Sequence, residues 1–557
     1  MKFGKGFTDP ARLKFFFAIL TLFIIPFQTG KCQEKNWNYF YRIHFTDKGE
    51  NEISAFAPED LLSGKAIERR RKAGTNVPDI RDIPVWQGYI NRISSMGLTF
   101  HCTSRWMNTA LFKSSDPVEP ETLAQLPFVR EIETVRSIEG KGESRNKNEI
   151  ENNTRELTPY NNPLTMINGV KVLNSDFDGK GVLIAVIDGG FTNAGFIPAL
   201  EHLRMRKGIK GTRDFVNMTD FVYDYSDHGT AVMSVLAGRI PGLLEGSAPG
   251  ADYLLLRSED TGSEYPMEED LWTAAAEFAD SSGADIISSS LGYCTFDDPS
   301  MDYQYHELDG SRTFITRAAD IAASKGILVV NSAGNERNLP WKRIVAPSDG
   351  DSVLAVGAVD GYRIISSFSS AGPSADRQVK PDIVAQGVGV TVQVSSEIIS
   401  RANGTSYSCP VISGMCACIM EAAPDASNMD IISALSHSAD RFLAPDSLYG
   451  FGIPDIEKAL DILQDRYLPK PPSGMVLFPN PFRNELKITF SVSPEKLIIE
   501  IFDQTGRQRM KKVYDEFVSR SLTLDNLPFS GKGIYFVRII TPGSASTHRI
   551  IKTDDPR

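Results

Sequence analysis

Four residues whose types support acyl transfer occur along the chain in contexts that would position them. Asp188 closes the apolar run that begins at Val182, and His228 opens a second apolar stretch. Asn335 ends a Gly-Asn turn, and Ser406 lies in a small, glycine-containing turn before a long apolar run. A serine needs a base to act as nucleophile, a histidine of near-neutral pKa can be that base, and a carboxylate can orient the imidazole. An asparagine amide can stabilise the resulting oxyanion.

Each of these residues also has an ordinary structural interpretation. Asp188 could cap a helix or hold a turn, His228 could be a structural histidine, and Gly-Thr-Ser406 is also a common helix N-cap sequence. A helix N-terminus, however, offers unpaired N–H groups and a positive dipole end, where an oxygen can carry negative charge. The order Asp, His, Ser favours the catalytic interpretation, because it is one of the known orders of such a triad.

The segments around these residues resemble the motifs of the subtilisin-like serine peptidase family. The resemblance rests on five segments, namely Ala185–Gly190, His228–Thr230, Ser332–Asn335, Lys380–Gly387 and Gly404–Ser406. The chain departs from the usual family pattern at Gly189, Ala231, Gln386 and Tyr407–Pro410. Cys409, close to Ser406, leaves the reactivity of its thiol open.

The resemblance implies a role for each matching residue. Ser406 would be the nucleophile, His228 the general base and acid, and Asp188 the residue that orients the histidine. Asn335 and the Ser406 N–H would form the oxyanion hole. The family's substrate-binding strand edge and pocket wall correspond to Ser289, Ser290, Leu291, Gly292, Ser332, Ala333 and Gly334. Such an edge pairs with an extended peptide through main-chain hydrogen bonds.

Strands and helices alternate between residues 164 and 466, the predicted catalytic domain. Short apolar strands are predicted at Val182–Ile187, Tyr253–Leu256, Ala284–Ser288, Ile327–Asn331 and Val353–Val359, and helices at Thr230–Ala237, Met267–Ser281 and Thr313–Ser324. Fully apolar strands separated by helices predict an α/β fold with a doubly wound, mostly parallel sheet. Active sites of such sheets lie at the carboxyl ends of the strands.

A small α+β domain is predicted over residues 33–138. We expect strands at Trp37–Phe45, within Asp82–Met96, at Thr99–Phe112 and at Phe128–Val135, and helices at Pro58–Lys72, within Asp82–Met96 and at Glu121–Leu126. The unit is similar to the prodomains of such peptidases, which assist folding and block the cleft. The polar segment 139–163 is the expected linker and processing region. A permanent binding module is the alternative.

A second linker, 467–474, precedes a C-terminal domain at 475–557. About seven short strands, each followed by turn residues, predict a small β-sandwich. The segments Leu477–Phe482, Ile499–Asp503, Gly533–Arg538 and Arg549–Lys552 resemble the sorting domain of the type IX secretion system. That family implies passage across an outer membrane, with removal of the domain or attachment at the surface. A generic adhesion or carbohydrate-binding sandwich is the alternative.

Composition and the N-terminal segment indicate where the protein is located and which partners are excluded. Residues 1–32 have the layout of a signal peptide, with basic residues before the apolar run Phe15–Phe27, so we expect a secreted or surface-exposed protein. The formal net charge of −11 argues against nucleic-acid binding. After signal cleavage, five cysteines would remain, and their disulfide pairing stays open. Cys416 and Cys418, two apart on one predicted helix, cannot easily bridge each other, and we interpret them as small buried hydrophobes.

The predicted partners are peptide or protein substrates, the chain's own prodomain as inhibitor, and the type IX secretion machinery. No cofactor is predicted. Calcium is common in the family, but no acidic loop has a convincing ligand spacing, and Asp297–Asp302 is interpreted as a solvated loop. Two rival functions stay open: an inert binding protein that keeps the fold, and an esterase of the α/β-hydrolase type. The esterase is disfavoured because Ser406 lacks a Gly-x-Ser-x-Gly elbow.

Overall fold

The structure is a computed structural model that describes residues 38–137, 162–468, 470–471, 474–525, 527, 529 and 531–553. The predicted signal segment and nearly all of the predicted 139–163 linker lie outside these ranges. Within the described ranges, no helix combines the length and the apolar character needed to cross a membrane.

The region 38–137 is a four-stranded antiparallel sheet with short helices. Its elements are β1 (Tyr39–Phe45), α1 (Pro58–Leu61), α2 (Gly64–Lys72), α3 (Gln87–Ser94), β2 (Thr99–Ser104), β3 (Thr109–Ser114), α4 (Pro120–Ala124) and β4 (Val129–Ser137). The strand order is β2-β3-β1-β4. This is the predicted α+β organisation.

Three details of this region differ from the prediction. The single helix predicted at Pro58–Lys72 is two helices, α1 and α2, because Leu62 and Ser63 adopt extended backbone between them. The single strand predicted at Thr99–Phe112 is two antiparallel strands, joined by a turn in which Asn108 adopts a φ of 56°. The strand predicted within 82–96, all described residues, is absent. Ile83 and Val85 are buried there, but they flank Pro84, which has no N–H to join a ladder.

The region 162–468 is built around a seven-stranded sheet. Its elements are α5 (Pro163–Met166), α6 (Gly169–Asn174), β5 (Leu183–Asp188), α7 (Glu201–Met205), β6 (Ile209–Asp214), α8 (His228–Ala237), β7 (Arg239–Ile240), β8 (Leu244–Glu245), β9 (Asp252–Arg257), α9 (Met267–Ser282), β10 (Ile286–Ser289), α10 (Phe314–Ser324), β11 (Leu328–Ser332), β12 (Val353–Val359), β13 (Ile383–Gln386), β14 (Val390–Gln393), β15 (Ile399–Ala402), α11 (Thr405–Ala422), α12 (Asn428–Ser438) and α13 (Ile456–Tyr467). The order is β13-β12-β11-β10-β5-β9-β6, and every pair is parallel.

Both faces of this sheet are covered, as the apolar strands predict. In β5, Ile184 and Val186 belong to a core that includes residues of α8 and α11. Their neighbours Ala185 and Ile187 point to the opposite face and are equally buried. The edge strand β6 was not predicted, because its sequence Ile-Lys-Gly-Thr-Arg-Asp lacks a run of apolar residues.

The parallel register brings three predicted site segments to one edge of the sheet. Ser289 at the end of β10 pairs with Ile187 of β5 on one side and with Asn331 of β11 on the other. The next residues, Asp188 and Ser332, end their strands at the same level. The carboxyl ends of β5, β10 and β11 therefore form a common floor for the site.

The region 474–553 is a β-sandwich with its own core. Its elements are β16 (Met475–Phe478), β17 (Leu486–Phe490), β18 (Leu497–Asp503), β19 (Gln508–Tyr514), β20 (Ser521–Leu524), β21 (Gly533–Thr541) and β22 (Ser544–Lys552). The sheets have the orders β16-β17-β20 and β19-β18-β21-β22. The seven predicted strands are confirmed, with ends that shift by at most a few residues.

Candidate active site

Asp188 and His228 form a buried, hydrogen-bonded pair. The Asp188 side chain is fully buried at the end of β5, and His228 is the first residue of α8. The Nδ1 atom of His228 lies 2.9 Å from Asp188 Oδ1 and 3.0 Å from Oδ2. Asp188 Oδ1 also accepts a hydrogen bond of 2.7 Å from the Gly189 N–H. The carboxylate therefore fixes the ring so that Nδ1 carries a proton and Nε2 can accept one.

Glycines allow the backbones that carry this pair to approach each other. A Cβ on Gly229 would lie 2.4 Å from the Gly190 carbonyl oxygen, which accepts a hydrogen bond from the Gly229 N–H at 3.1 Å. Gly190 adopts a φ of 150°, and a Cβ there would lie 2.5 Å from the Asp224 carbonyl oxygen. No larger residue fits at either position without moving the backbone. The glycines that follow Asp188 and His228 therefore bring the two side chains within bonding distance.

The pair shifts the proton affinity of the histidine. Burial lowers the pKa of His228, but the charge of Asp188 and its hydrogen bond raise it by more, with smaller contributions from Asp227 and Glu259. The net result is a pKa above the ordinary value of 6.5. His228 is thus a stronger base than a free imidazole.

Ser406 lies in the first turn of α11. Ser406 is 7% exposed, and its backbone carbonyl oxygen accepts a hydrogen bond of 3.0 Å from Ser290 Oγ. Among the described residues, no hydrogen bond joins Ser406 to His228. Tyr407, the next residue, places its ring centroid 5.9 Å from that of His228. In ligand-free enzymes such catalytic hydrogen bonds are often long and form fully with substrate.

Ser406 lines a substrate-sized cleft of about 620 Å³, whereas Asp188 and His228 are not among its described lining residues. Its lining includes residues that bear on the sequence predictions: Ser290, Leu291, Gly292, Ser332, Gly334, Asn335, Thr405, Ser406, Asp297, Pro299 and Asp302. Two predicted substrate-binding residues are not among them. Ser289 is buried and its Oγ accepts a hydrogen bond from Trp272 Nε1, while Ala333 is buried in backbone pairing with Val356 and Val345.

The cleft is acidic, which sequence reasoning did not anticipate. Its carboxylates are Glu259, Glu264, Asp297, Asp302 and Glu336, and no Lys, Arg or His is among its described lining residues. Asp297 and Asp302 therefore do not belong to a merely solvated loop. Asp302 Oδ1 accepts a hydrogen bond of 2.7 Å from the Phe296 N–H, which folds the loop over the cleft. Only Glu336 had a sequence signal, since it directly follows Asn335.

One described cluster has the spacing of a metal site, and it lies outside the cleft. It consists of His44, Glu131 and Glu133. His44 Nε2 lies 2.6 Å from Glu133 Oε1, and its Nδ1 lies 3.1 Å from a nitrogen of Arg130. Glu133 also pairs with Arg42 at 2.9 Å. Both ring nitrogens of His44 and the carboxylate of Glu133 therefore already have protein partners.

Three family models match separate parts of this chain. The model of the "Subtilase family" matches residues 179–452, "Peptidase S8 propeptide domain, Bacteroidota" matches 40–153, and "Secretion system C-terminal sorting domain" matches 476–553. Subtilisin DY of Bacillus licheniformis is 30% identical over 310 residues, which cover 55% of this chain and 99% of that protein. Serine protease AprX of Bacillus subtilis strain 168 is 28% identical over 312 residues, or 51% of this chain and 66% of AprX.

The chain therefore belongs to the subtilase family and is a subtilisin-like serine protease with a propeptide domain. It is secreted or attached at the outer cell surface, as its sorting domain implies. The domain boundaries stay predictions, and the propeptide match extends into the predicted 139–163 linker.

The solved structures that this chain matches include two proteins named MycP1. The structure of MycP1 with its N-terminal propeptide removed has a TM-score of 0.43 and 23% identity, and covers 54% of this chain and 96% of that chain. MycP1 from Mycobacterium smegmatis has a TM-score of 0.44 and 20% identity, and covers 57% of this chain and 89% of that chain.

Proposed function

We propose that the protein is an endopeptidase that hydrolyses peptide bonds through an acyl-enzyme intermediate. Ser406 is the nucleophile, His228 the general base and acid, and Asp188 the residue that orients the imidazole. The observation that carries the proposal is the buried pair of His228 and Asp188 at 2.9 Å, beside a cleft that Ser406 lines. No other serine in the described cleft lies at the start of a long helix.

The chemistry follows from this arrangement in two halves. Ser406 Oγ attacks the peptide carbonyl carbon while His228 Nε2 takes its proton, and the resulting imidazolium is stabilised by Asp188. The oxyanion is stabilised by Asn335 Nδ2 and by the Ser406 N–H, which has no partner within the first turn of α11. His228 then gives the proton to the leaving amine. Water, activated by the same histidine, releases the acyl group and restores Ser406.

The propeptide region is proposed to be the inhibitor of this site. Its strand β4 ends at Ser137, and Arg136 lies 3.5 Å from Asp260 and 5.4 Å from the Tyr265 ring centroid. Asp260 adjoins Glu259, which lines the cleft. The described end of the propeptide region thus lies near the rim of the cleft, which supports a role for this region as inhibitor.

A fluorophosphonate probe tests the proposed nucleophile directly. The purified, processed protein is treated with the probe beside Ser406→Ala and the control Ser408→Ala, whose native Oγ donates to the Thr405 carbonyl within the helix. We expect labelling of the parent and of Ser408→Ala only. Equal labelling of Ser406→Ala would place the nucleophile elsewhere. Processed protein that does not react at all would favour the inert binding function.

A further inference from the structure

The sorting domain is attached to the peptidase by more than its linker. The segment from β19 to β20, residues 512–521, contacts the end of α6 and α13, the last helix of the peptidase region. Val518 belongs to the hydrophobic core of the peptidase, where it is 5% exposed. A freely tethered tail would leave this side chain in water, so its burial indicates a dedicated socket.

Polar groups in the socket are paired across the two domains. Gln464 of α13 is fully buried, and its side chain donates to Ser519 Oγ at 2.7 Å and accepts from the Arg520 N–H at 2.8 Å. On the other side, Ser175 Oγ accepts a hydrogen bond of 3.1 Å from the Val518 N–H. Burying an amide or hydroxyl group without a hydrogen-bond partner costs free energy. Here the polar groups of each domain are the hydrogen-bond partners of the other domain.

A buried arginine completes the contact. The Arg520 side chain is 6% exposed, and its guanidinium donates to the carbonyl oxygens of Gln464 and Leu468, each at 3.1 Å. It also pairs with Asp465 at 3.2 Å. Removing a guanidinium from water is expensive unless it finds such acceptors. Most of these acceptors are backbone carbonyls at the end of α13. Arg520 therefore caps the C-terminus of that helix.

A second patch anchors the start of the peptidase region. Lys512 Nζ and Tyr514 OH both reach Asp176 Oδ2, at 2.7 and 2.9 Å, just after α6. The socket therefore combines residues near the N-terminal end of the peptidase region with residues near its C-terminal end. β22 is at the opposite edge of its sheet from β19, which leaves the C-terminal strand clear of the socket.

We propose that the peptidase holds its own sorting domain through Val518, Ser519 and Arg520, so that the domain stays bound after the linker is cut. The segment that fills the socket belongs to the same chain and is bound there in the structure. Cleavage between Leu468 and Gly474 then does not by itself release the enzyme. Release needs the docked segment to leave the socket or to be degraded. The inference is independent of the proposed catalytic residues.

The experiment cuts the linker and asks whether the pieces separate. A viral-protease recognition site is placed between Leu468 and Gly474 of the full chain, with Ser406→Ala to prevent self-digestion. After cleavage, gel filtration at micromolar concentration should show co-elution of the two fragments. Separation of the cleaved parent would overturn the proposal, whatever the variants do.

Matched variants then test the assigned residues. Arg520→Ala and, on the peptidase side, Gln464→Ala should each weaken retention at least about tenfold, as expected for a buried central contact. Lys511→Ala is the control, because Lys511 pairs with Glu500 inside the sorting domain. Thermal unfolding of the uncut chains verifies that each variant folds. Folded variants that are retained as tightly as the parent would refute the roles of these residues.

Discussion

Asn335 and Thr405, 70 residues apart in sequence, are joined by two hydrogen bonds. Asn335 Oδ1 accepts from the Thr405 N–H at 2.9 Å and from its Oγ1 at 3.0 Å. With its oxygen engaged, the amide presents its nitrogen as the donor to the cleft. The bond also ties the turn after β11 to the start of α11, which sets Asn335 beside Ser406.

Asn335→Ala should lower kcat by about 10²–10³-fold, the range found when one such donor is removed from subtilisin. KM should change little, because the donor acts on the oxyanion. Thr405→Val removes only the hydroxyl contact, so a smaller loss is expected. Steady-state kinetics with a peptide substrate give both values. An Asn335→Ala enzyme with unchanged kcat would contradict an oxyanion role.

If His228 is the general base, its raised pKa should determine the acid limb of the pH profile. A base must be neutral to take the serine proton, so kcat/KM should fall as pH decreases through a pKa above 6.5. Asp188→Asn removes the carboxylate that raises this pKa. The acid limb should then move to lower pH while kcat drops by about 10⁴-fold. A purely structural role for Asp188 would leave the limb where it is.

Val345 lines the cleft, and we expect it to limit the size of the substrate side chain. A Cβ on Gly292 would lie 2.1 Å from Val345 Cγ2, and a Cβ on Gly334 would lie 3.0 Å from both Val345 methyl groups. The side chain thus occupies the space between two glycines that line the cleft. Val345→Gly should raise kcat/KM for peptides with a large apolar residue before the scissile bond by about tenfold or more, relative to alanine peptides.

A control for this change is Val353→Ala, which truncates a buried valine of β12 outside the cleft. It should lower stability without altering the ratio of the two substrates. An unchanged ratio in Val345→Gly as well would mean that the pocket lies elsewhere.

Cys409 should be unreactive, although it lies one helical turn from Ser406. It is fully buried, its Sγ lies 3.5 Å from the Ser289 and Val330 carbonyl oxygens, and burial raises its pKa to about 12. The thiolate, which is the reactive form, is therefore scarce. Native enzyme exposed to iodoacetamide should show no modification at Cys409 by mass spectrometry. Alkylation there with loss of activity would contradict this.

Arg42 holds the propeptide on the peptidase. Its guanidinium donates to both oxygens of Asp270 in α9, at 2.7–3.0 Å, and to the Pro266 carbonyl oxygen at 3.1 Å. Arg42→Ala would leave the buried Asp270 carboxylate without its partner, a loss of about 3–5 kcal/mol. Propeptide retention after linker cleavage in Ser406→Ala enzyme should therefore fall by at least about 100-fold.

Retention is measured by gel filtration of the cleaved protein. The exposed Arg81, also in the propeptide, provides the control Arg81→Ala. Equal retention of both variants would mean that the ion pair does not hold the domains together.

Much of the secondary structure of this protein can be predicted from short segments of its sequence. The buried strands, most helices and the seven C-terminal strands follow from local apolar patterns, because a strand covered on both faces must be apolar throughout. The interpretation of Cys416 and Cys418 as buried hydrophobes is confirmed, and all five cysteines that the structure describes are free and buried. The edge strand β6 and the absence of a strand around Pro84 were missed. β6 lies at the sheet edge and is partly exposed, so its sequence is polar. Pro84 lacks the N–H that a strand would need.

The sequence by itself determined which residue types are available for chemistry and the order in which they occur. Tertiary structure decided which of them meet. The pairing of Asp188 with His228 depends on two glycine backbones in contact, and the exclusion of Ser289 from the cleft depends on its bond to Trp272. The acidic cleft and the socket for Val518 join residues far apart in sequence. Such contacts are set by packing between elements, which no local pattern encodes.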